Sequence, residues 1–342
     1  MRFLLSSGIY GTNGLKRKYD SMKTCCQKKE ELKKIILSKL ASVLDSDYWL
    51  FDFPWFPNVG DMLIFQGELD FLRSFSYKCK GVVSADSVLL PRLSPGDLVL
   101  FNGGGNFGDI WPRAPQFRMS VMRENPKCRY LVFPQTICYA DEYTMCRDAA
   151  FFGQYNCTIC ARDEVSYELF RKYFSNDILL LPDMAFCIDM KRWMPKREKE
   201  HREISRSLVM KRGDVEYKPS VAFESLMEHD DSGNGVLDIA DWSAMTQDSL
   251  CERIKKSLHK RRKRLRWLYD WYMFHFYRPY LIKSGVSQLS RYKSVYTTRL
   301  HACILGVLLE MDNVVLYDNS YGKNSSFYET WLYDLDNVTL KP

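Results

Sequence analysis

The stretch Ser294–Tyr317, SVYTTRLHACILGVLLEMDNVVLY, constrains this chain more than any other. A short β-branched and aromatic run, Ser294–Thr298, and a second apolar run, Asn313–Tyr317, flank His301–Glu310, which is apolar on nearly every side. All-round apolarity marks a buried helix, and strand–helix–strand is the unit of a parallel α/β sheet. Ligands of such sheets sit where strands end and helices begin, and Arg299 and His301 fall on that joint. If the backbone is still extended there, the two side chains share a face roughly 6.6 Å apart. A fixed cation and a titratable imidazole beside a helix start would make an anion site with an acid/base attached. The plainer reading is that Arg299 pairs with a carboxylate and His301 caps the helix.

Length and composition set the frame. A chain of 342 residues is long for one core and comfortable for two domains. With 46% hydrophobic and 27% charged residues, disorder is not expected. Eleven cysteines without regular spacing read as reduced thiols. The opening MRFLLSSGIYGTNG has too short an apolar run for an export signal, and no run is long enough to span a bilayer, so a cytoplasmic location is expected.

Charge is local rather than general. Arg253–Arg266 holds nine Lys or Arg and no acid; the net charge is +7, so the rest of the chain carries −2. This run continues into the aromatic Leu265–Ile282. Three readings stand: an anionic membrane surface, a solvated helix whose aromatics join the core, and nucleic acid, for which no recognition module appears.

Along the chain, Glu30–Leu44 has helical spacing, and the aromatic loop Tyr48–Pro57 leads through Asn58, Gly60 and Asp61 into a helix over Met62–Phe75. Asp61 reads as a helix cap or as a functional acid, and aromatic faces in the loop suit sugars. Strand Asp97–Phe101 precedes a glycine-rich turn. There Gly103, Gly105 and Gly108 match G-x-G-x-x-G, but Pro112 and Pro115 put the following helix in doubt and no ribose-binding acid follows. Further strand ends fall at Pro134-Gln135, Arg162-Asp163-Glu164 and Pro182-Asp183, the cadence of an open parallel sheet. Cys157 and Cys160 read as inward-facing strand residues rather than a redox or zinc pair. Lys191–Arg206 is the linker candidate, and strand Ser207–Lys211 opens the second half. His229–Trp242 approximates a calcium loop but lacks its final Glu, so a solvated acidic turn is expected. A terminal helix is expected around Tyr328–Asp334.

Together these joints resemble the polysaccharide pyruvyl transferase family. The matching pieces are Asn58-x-Gly60-Asp61, Gly103–Gly108, Pro134-Gln135, Ala161-Arg162-Asp163-Glu164-x-Ser166, Pro182-Asp183, and Arg212 with Asp214 and Glu216. The strongest are Thr298-Arg299-Leu300-His301-Ala302 and Tyr321-Gly322-Lys323. The resemblance implies an α/β fold of two Rossmann-like domains facing a GT-B-like cleft. Residues 1–192 would form the acceptor side and 205–342 the donor side, with the terminal helix returning to the first domain. It implies transfer of the pyruvyl group of phosphoenolpyruvate onto two hydroxyls of a galactose- or mannose-type hexose, as a cyclic ketal in surface or capsular polysaccharide. Arg162, Arg299, Leu300, Arg212, Lys323, Gly104 and Gly105 would bind the donor, and Asn58, Asp61 and Asn106 the acceptor. His301 would be the general acid and base, with Asp61 assisting. Phosphoenolpyruvate is co-substrate, and neither cofactor nor metal is required. The Arg253–Ile282 block adds the expectation of a lipid-diphosphate-linked acceptor and a peripheral position on the inner membrane face, with no nucleic acid partner. The alternatives are a nucleotide-sugar glycosyltransferase of the same architecture and a non-catalytic surface-binding protein.

Overall fold

Two parallel sheets carry the chain. The structure is a computed structural model describing residues 22–87, 90–194, 207–228, 237–242 and 249–341. The first sheet contains β1 (Tyr48–Phe51), β2 (Cys79–Val83), β3 (Leu98–Phe101), β4 (Gly104–Gly108), β5 (Arg129–Cys138), β6 (Cys157–Ala161) and β7 (Asp177–Leu180). Its order is β2-β1-β3-β5-β6-β7, with β4 pairing beside β5. The second contains β8 (Ser207–Met210), β9 (Leu237–Ala240), β10 (Ser294–Thr297), β11 (Asn313–Tyr317) and β12 (Val338–Lys341), in the order β12-β11-β10-β8-β9. All named pairings are parallel, which fits continuous apolar strands such as Leu98–Phe101, buried throughout. In each sheet the strand order reverses at one place: between β1 and β3 in the first, and between β8 and β10 in the second. Ligand crevices form at such switch points. The chain leaves β1 toward Asn58 and Asp61, β3 toward the glycines, β8 toward Arg212 and β10 toward Arg299.

Helix Val59–Leu72 lies at the centre, with eleven of its fourteen residues buried. Asn58 caps it, its Oδ1 accepting from the Gly60 N–H at 2.9 Å, so the capping reading of Asp61 does not hold. This helix packs on Met184–Cys187 and on helices Arg278–Leu289 and Leu300–Leu308. One apolar cluster therefore joins residues of both sheets, from Leu100 and Leu131 to Leu208 and Leu316.

Several expectations need correction. The glycine-rich stretch is a short strand, β4, rather than a turn, because it lies alongside the extension of β5. A helix does follow it, Arg113–Glu124, since Pro112 is its N-cap and Pro115 falls in the first turn, where no intrahelical N–H is needed. β5 runs through Pro134 at the cost of a register shift between Val132 and Gln135, the irregularity a missing donor imposes. Cys157 and Cys160 are both buried but sit in different apolar clusters, on opposite faces of β6. The terminal segment is helical from Lys323, earlier than expected, and ends in a strand, β12, that was not foreseen. Of the linker candidate, residues 195–206 lie outside the described residues, as do residues 229–236 of the acidic turn. Of that turn's later acids, Asp238 accepts from Tyr292 Oη at 2.8 Å and Asp241 pairs with Arg299.

A buried polar hub fixes β4 against the central helix. Arg118, fully buried, donates from Nη2 to Asp52 Oδ2 at 2.7 Å, to Asn106 Oδ1 at 2.6 Å and to the Asn102 carbonyl at 3.2 Å. Glu68 accepts from the Gly103 N–H at 2.8 Å, and Gln135 bonds both the Asn102 carbonyl and the Asn106 N–H. Burial lifts Glu68 well above the carboxylate range and pushes Asp52 up to about 6, against the pull of Arg118. A carboxyl that holds its proton more tightly when folded stabilises the fold below its unfolded value. That contribution is lost as pH rises through about 6 for Asp52. The expected share is about 3 kcal/mol, since each tenfold gain in proton affinity on folding is worth ~1.4 kcal/mol. Asp52 adopts φ 68°, which Asn tolerates, so Asp52→Asn should fold and lose this slope. Urea unfolding of both proteins between pH 4 and 6.5 reads it; an unchanged slope in the variant would contradict the assignment.

Candidate functional site

Buried carboxylates hold the candidate cations in place. Arg162 follows β6 and is fully buried. Its Nη1 donates to Asp183 Oδ2 at 2.9 Å, and its Nε and Nη2 donate to Thr136 Oγ1 at 3.2 and 2.9 Å. His301 enters from the first turn of helix Leu300–Leu308 and brings Nε2 to 3.4 Å from the same Asp183 oxygen, an ion-pair separation when the ring is protonated. Burial would raise the Asp183 carboxyl, but His301 and Arg162 override it and hold the group well below the usual range.

Gly60 explains how the imidazole fits. A Cβ built there would stand 2.5 Å from His301 Nδ1, so the ring lies directly on the helix backbone. Asp61 follows, in the first turn, with no hydrogen bond to its carboxylate among the described residues. Burial raises its pKa, opposed by the nearby charges of His301, Lys323 and Arg162. The floor is glycine. A Cβ at Gly105 would be 3.3 Å from Arg162 Nη2 and 3.5 Å from Lys323 Nζ, and one at Gly104 would be 3.6 Å from Asp61 Oδ1. Two cations, a carboxyl and an imidazole thus gather around backbone that carries no side chain of its own at Gly104 and Gly105.

A second knot lies beyond β8. Glu216 Oε2 accepts from Arg212 Nη1 at 2.8 Å, Tyr321 Oη at 3.0 Å, Asn319 Nδ2 at 3.3 Å and Lys323 Nζ, while Oε1 accepts from Trp111 Nε1 at 3.2 Å. Burial opposes this charge, yet Lys323 and Arg212 hold the Glu216 carboxyl well below its ordinary range. Lys323 is itself lowered by burial, with Glu216 resisting. Arg212 also grips Asp214, through Nε at 2.8 Å and Nη2 at 3.0 Å. Trp111 follows β4, so its bond to Glu216 ties the first sheet's glycine strand to the second sheet.

Not every expected residue joins the cluster in the expected way. Arg299 has extended backbone and His301 is already helical, so the two do not share a face. Arg299 binds Asp241 through Nε at 2.5 Å and Nη2 at 2.8 Å, with Nη1 3.9 Å from Asp214. The carboxylate pairing of the plainer reading is therefore present, but His301 caps nothing. Leu300 buries its side chain in the core. Asn106 belongs to the Arg118 hub, and Asn58 is engaged as a cap. Trp55, in the aromatic loop whose faces were expected to suit sugars, carries the Arg113 guanidinium 4.1 Å from its ring centroid and the His259 ring 6.4 Å away, nearly parallel.

Sequence reasoning passed over Asp183 and Glu216 as site residues and missed Thr136 and Asp241. Asp183, in Pro182-Asp183 after a strand, and Glu216, four residues beyond Arg212, carried a positional signal. Thr136 carried none, because it lies within the part of β5 expected to be loop. Asp241 was visible only inside the calcium-like pattern. The Trp331 indole donates to the Arg162 carbonyl at 2.7 Å, so the terminal helical segment buttresses the site.

Comparison with known proteins identifies the family. The model of the family described as polysaccharide pyruvyl transferase matches residues 58–317, which contain Asp61, Arg162, Asp183, Arg212, Glu216 and His301 but not Asn319, Tyr321 or Lys323. EpsO of Bacillus subtilis, a protein named as a pyruvyl transferase, is 30% identical over 88% of this chain and 92% of its own. Pyruvyl transferase 1 of Schizosaccharomyces pombe is 26% identical over 85% of this chain and 71% of its own. The crystal structure of a functionally uncharacterised Klebsiella pneumoniae protein superimposes with a TM-score of 0.61 at 18% identity, covering 91% of this chain and 98% of that one, a likeness of fold. The chain belongs to the polysaccharide pyruvyl transferase family.

Proposed function

We propose that this transferase moves the pyruvyl group of phosphoenolpyruvate onto two hydroxyls of one hexose, closing a cyclic ketal in a surface or capsular polysaccharide. The observation that carries the reading is the convergence of Arg162 and Lys323 over Gly105, beside Asp61 and His301. A small donor with both a carboxylate and a phosphate needs several cations at close quarters, and open backbone for its approach. Arg162 and Lys323 would take the donor over Gly104 and Gly105, with Arg212, Arg299 and the Leu300 backbone completing its anion contacts. In the wider reading the sheets belong to two domains, residues 1–192 and 205–342, facing a cleft with acceptor and donor on opposite walls.

The chemistry follows from the groups in reach. Protonated His301 gives its proton to the methylene carbon, and the adjacent carbon becomes an oxocarbenium centre. One sugar hydroxyl attacks it, losing its proton to Asp61, whose carboxyl burial makes more basic than an ordinary carboxylate. Phosphate departs with the C–O electron pair and takes the proton held by Asp61, and a second hydroxyl closes the ring, its proton returning to the now neutral imidazole. The acceptor exchanges its two hydroxyl hydrogens for one pyruvylidene bridge, and inorganic phosphate is released. Asp183, 3.4 Å from Nε2, would orient the imidazole through the first step. Asn58 and Asn106 would border the acceptor, through whatever hydrogen-bonding capacity their structural bonds leave. The acceptor would be lipid-diphosphate-linked, and the enzyme cytoplasmic.

Phosphate release from phosphoenolpyruvate tests this, with aryl and lipid-linked hexosides as acceptors and UDP-sugars as controls. Acceptor-dependent phosphate is expected; consumption of a UDP-sugar instead would favour a glycosyltransferase. His301→Ala should lower turnover by about 10²–10⁴-fold while donor binding, followed by calorimetry, persists. Gly60→Ala should act through the same ring. Its methyl would displace an imidazole lying 2.5 Å away, and turnover should fall about 10²-fold with donor affinity little changed. Full activity in Gly60→Ala would contradict the place given to His301.

A further inference from the structure

The basic block folds into helix Leu250–Lys260, a turn, and helix Arg266–Tyr272, running on through a wide turn into Arg278–Leu289. Its inward face is accounted for: Tyr269, Tyr272, Met273 and Tyr277 are buried and join the apolar cluster common to both sheets. The core therefore does not need the outward aromatics. Trp267 is 71% exposed, Trp271 46% and Phe276 51%. Trp267 and Trp271 are four residues apart on one helix face, and the Trp271 ring lies 4.9 Å from Phe276 and 5.7 Å from His275. Trp271, His275 and Phe276 form one aromatic cluster, with Trp267 one helical turn before it. The turn before it presents Lys260, Arg261, Lys263 and Arg264, all exposed and without an acidic partner among the described residues.

We infer that this face docks on an anionic phospholipid bilayer. Exposed indole and phenyl rings beside a dense cationic turn match the two layers of such a surface, apolar chains under anionic head groups. No helix among the described residues is long and apolar enough to cross a membrane, so contact would be peripheral.

The patch is also rigidly joined to the site loops. The Asp86 carboxylate gathers Arg113 at 3.0 Å, His259 at 3.1 Å and Arg262 at 3.5 Å. Arg113 in turn covers Trp55, three residues before Asn58. Docking there would turn the loops bearing Asn58, Asp61 and the glycine strand toward the bilayer. That consequence rests on the pyruvyl-transfer reading; the docking itself does not.

The test is co-sedimentation of the full chain with vesicles of phosphatidylcholine alone and of phosphatidylcholine mixed with phosphatidylglycerol. Binding to the mixed vesicles, a blue shift of tryptophan emission and weakening in high salt are expected. The double variant Lys263→Glu/Arg264→Glu should bind at least about tenfold more weakly, as two attractions become repulsions. Trp267→Ser/Trp271→Ser should lose the blue shift and most binding. Both variants should keep wild-type circular dichroism and activity on a soluble hexoside. No vesicle binding, or equal binding by both variants and wild type, would overturn the inference. So would concentration-dependent dimerisation abolished by the Trp changes, which would make the patch a contact between two copies. RNA binding as tight as vesicle binding would overturn it as well. Because vesicle binding is read without pyruvyl transfer, failure in this assay leaves the proposed reaction untouched, and the reverse holds too.

Discussion

One buried oxygen, Asp183 Oδ2, holds the site together. It receives Arg162 from the end of β6 and faces His301 from the second sheet's helix, while Asp183 Oδ1 accepts the Ala185 N–H. Three segments far apart in sequence meet at this carboxylate. Burying a lone charge is costly, so the carboxylate fixes its partners as firmly as they fix it. Removing it would leave a fully buried guanidinium with Thr136 as its one remaining side-chain acceptor among the described residues. Such an arrangement does not add much stability, since desolvation offsets most of the attraction. Its consequence is geometric: the cation and the imidazole cannot drift apart.

Glu216 does the same for the second group of cations, and the two knots meet at Gly105, between Arg162 and Lys323. Each cation is neutralised in advance yet keeps N–H groups to offer: Lys323 spends one of its three on Glu216, and Arg162 spends three of its five on Asp183 and Thr136. An arriving dianion would then find donors already oriented, avoiding the cost of ordering flexible side chains at the moment of binding. The glycines follow from the same constraint, because any side chain at Gly60 would meet the imidazole and any at Gly105 would stand between the two cations.

The sequence made the parallel α/β class legible, because buried strands and helices in alternation leave runs such as Leu98–Phe101 and Leu300–Leu308 that little else could produce. Strand ends were legible too, and the cations and imidazole of the cluster lie on them. Partner choice was less so. Arg299 and His301 are two residues apart, and their divergence depends on where the helix begins, a boundary that hydrophobic pattern does not fix. Asp241 reaches Arg299 across 58 residues, and Thr136 reaches Arg162 through a strand that continues past a proline. Such contacts are set by tertiary register rather than local spacing. The family resemblance carried the reaction; composition and periodicity alone would have stopped at an anion-binding α/β protein.

Carrying out the reaction in deuterated water would probe the central claim most directly. If His301 protonates the methylene carbon before the sugar attacks, the ketal methyl must carry one solvent-derived hydrogen. Mass and proton spectra of the pyruvylated acceptor should then show a singly deuterated methyl group, formed in step with phosphate release and lost together with it in His301→Ala. A product whose methyl contains no deuterium, or turnover that continues undiminished without the imidazole, would contradict the role assigned to His301.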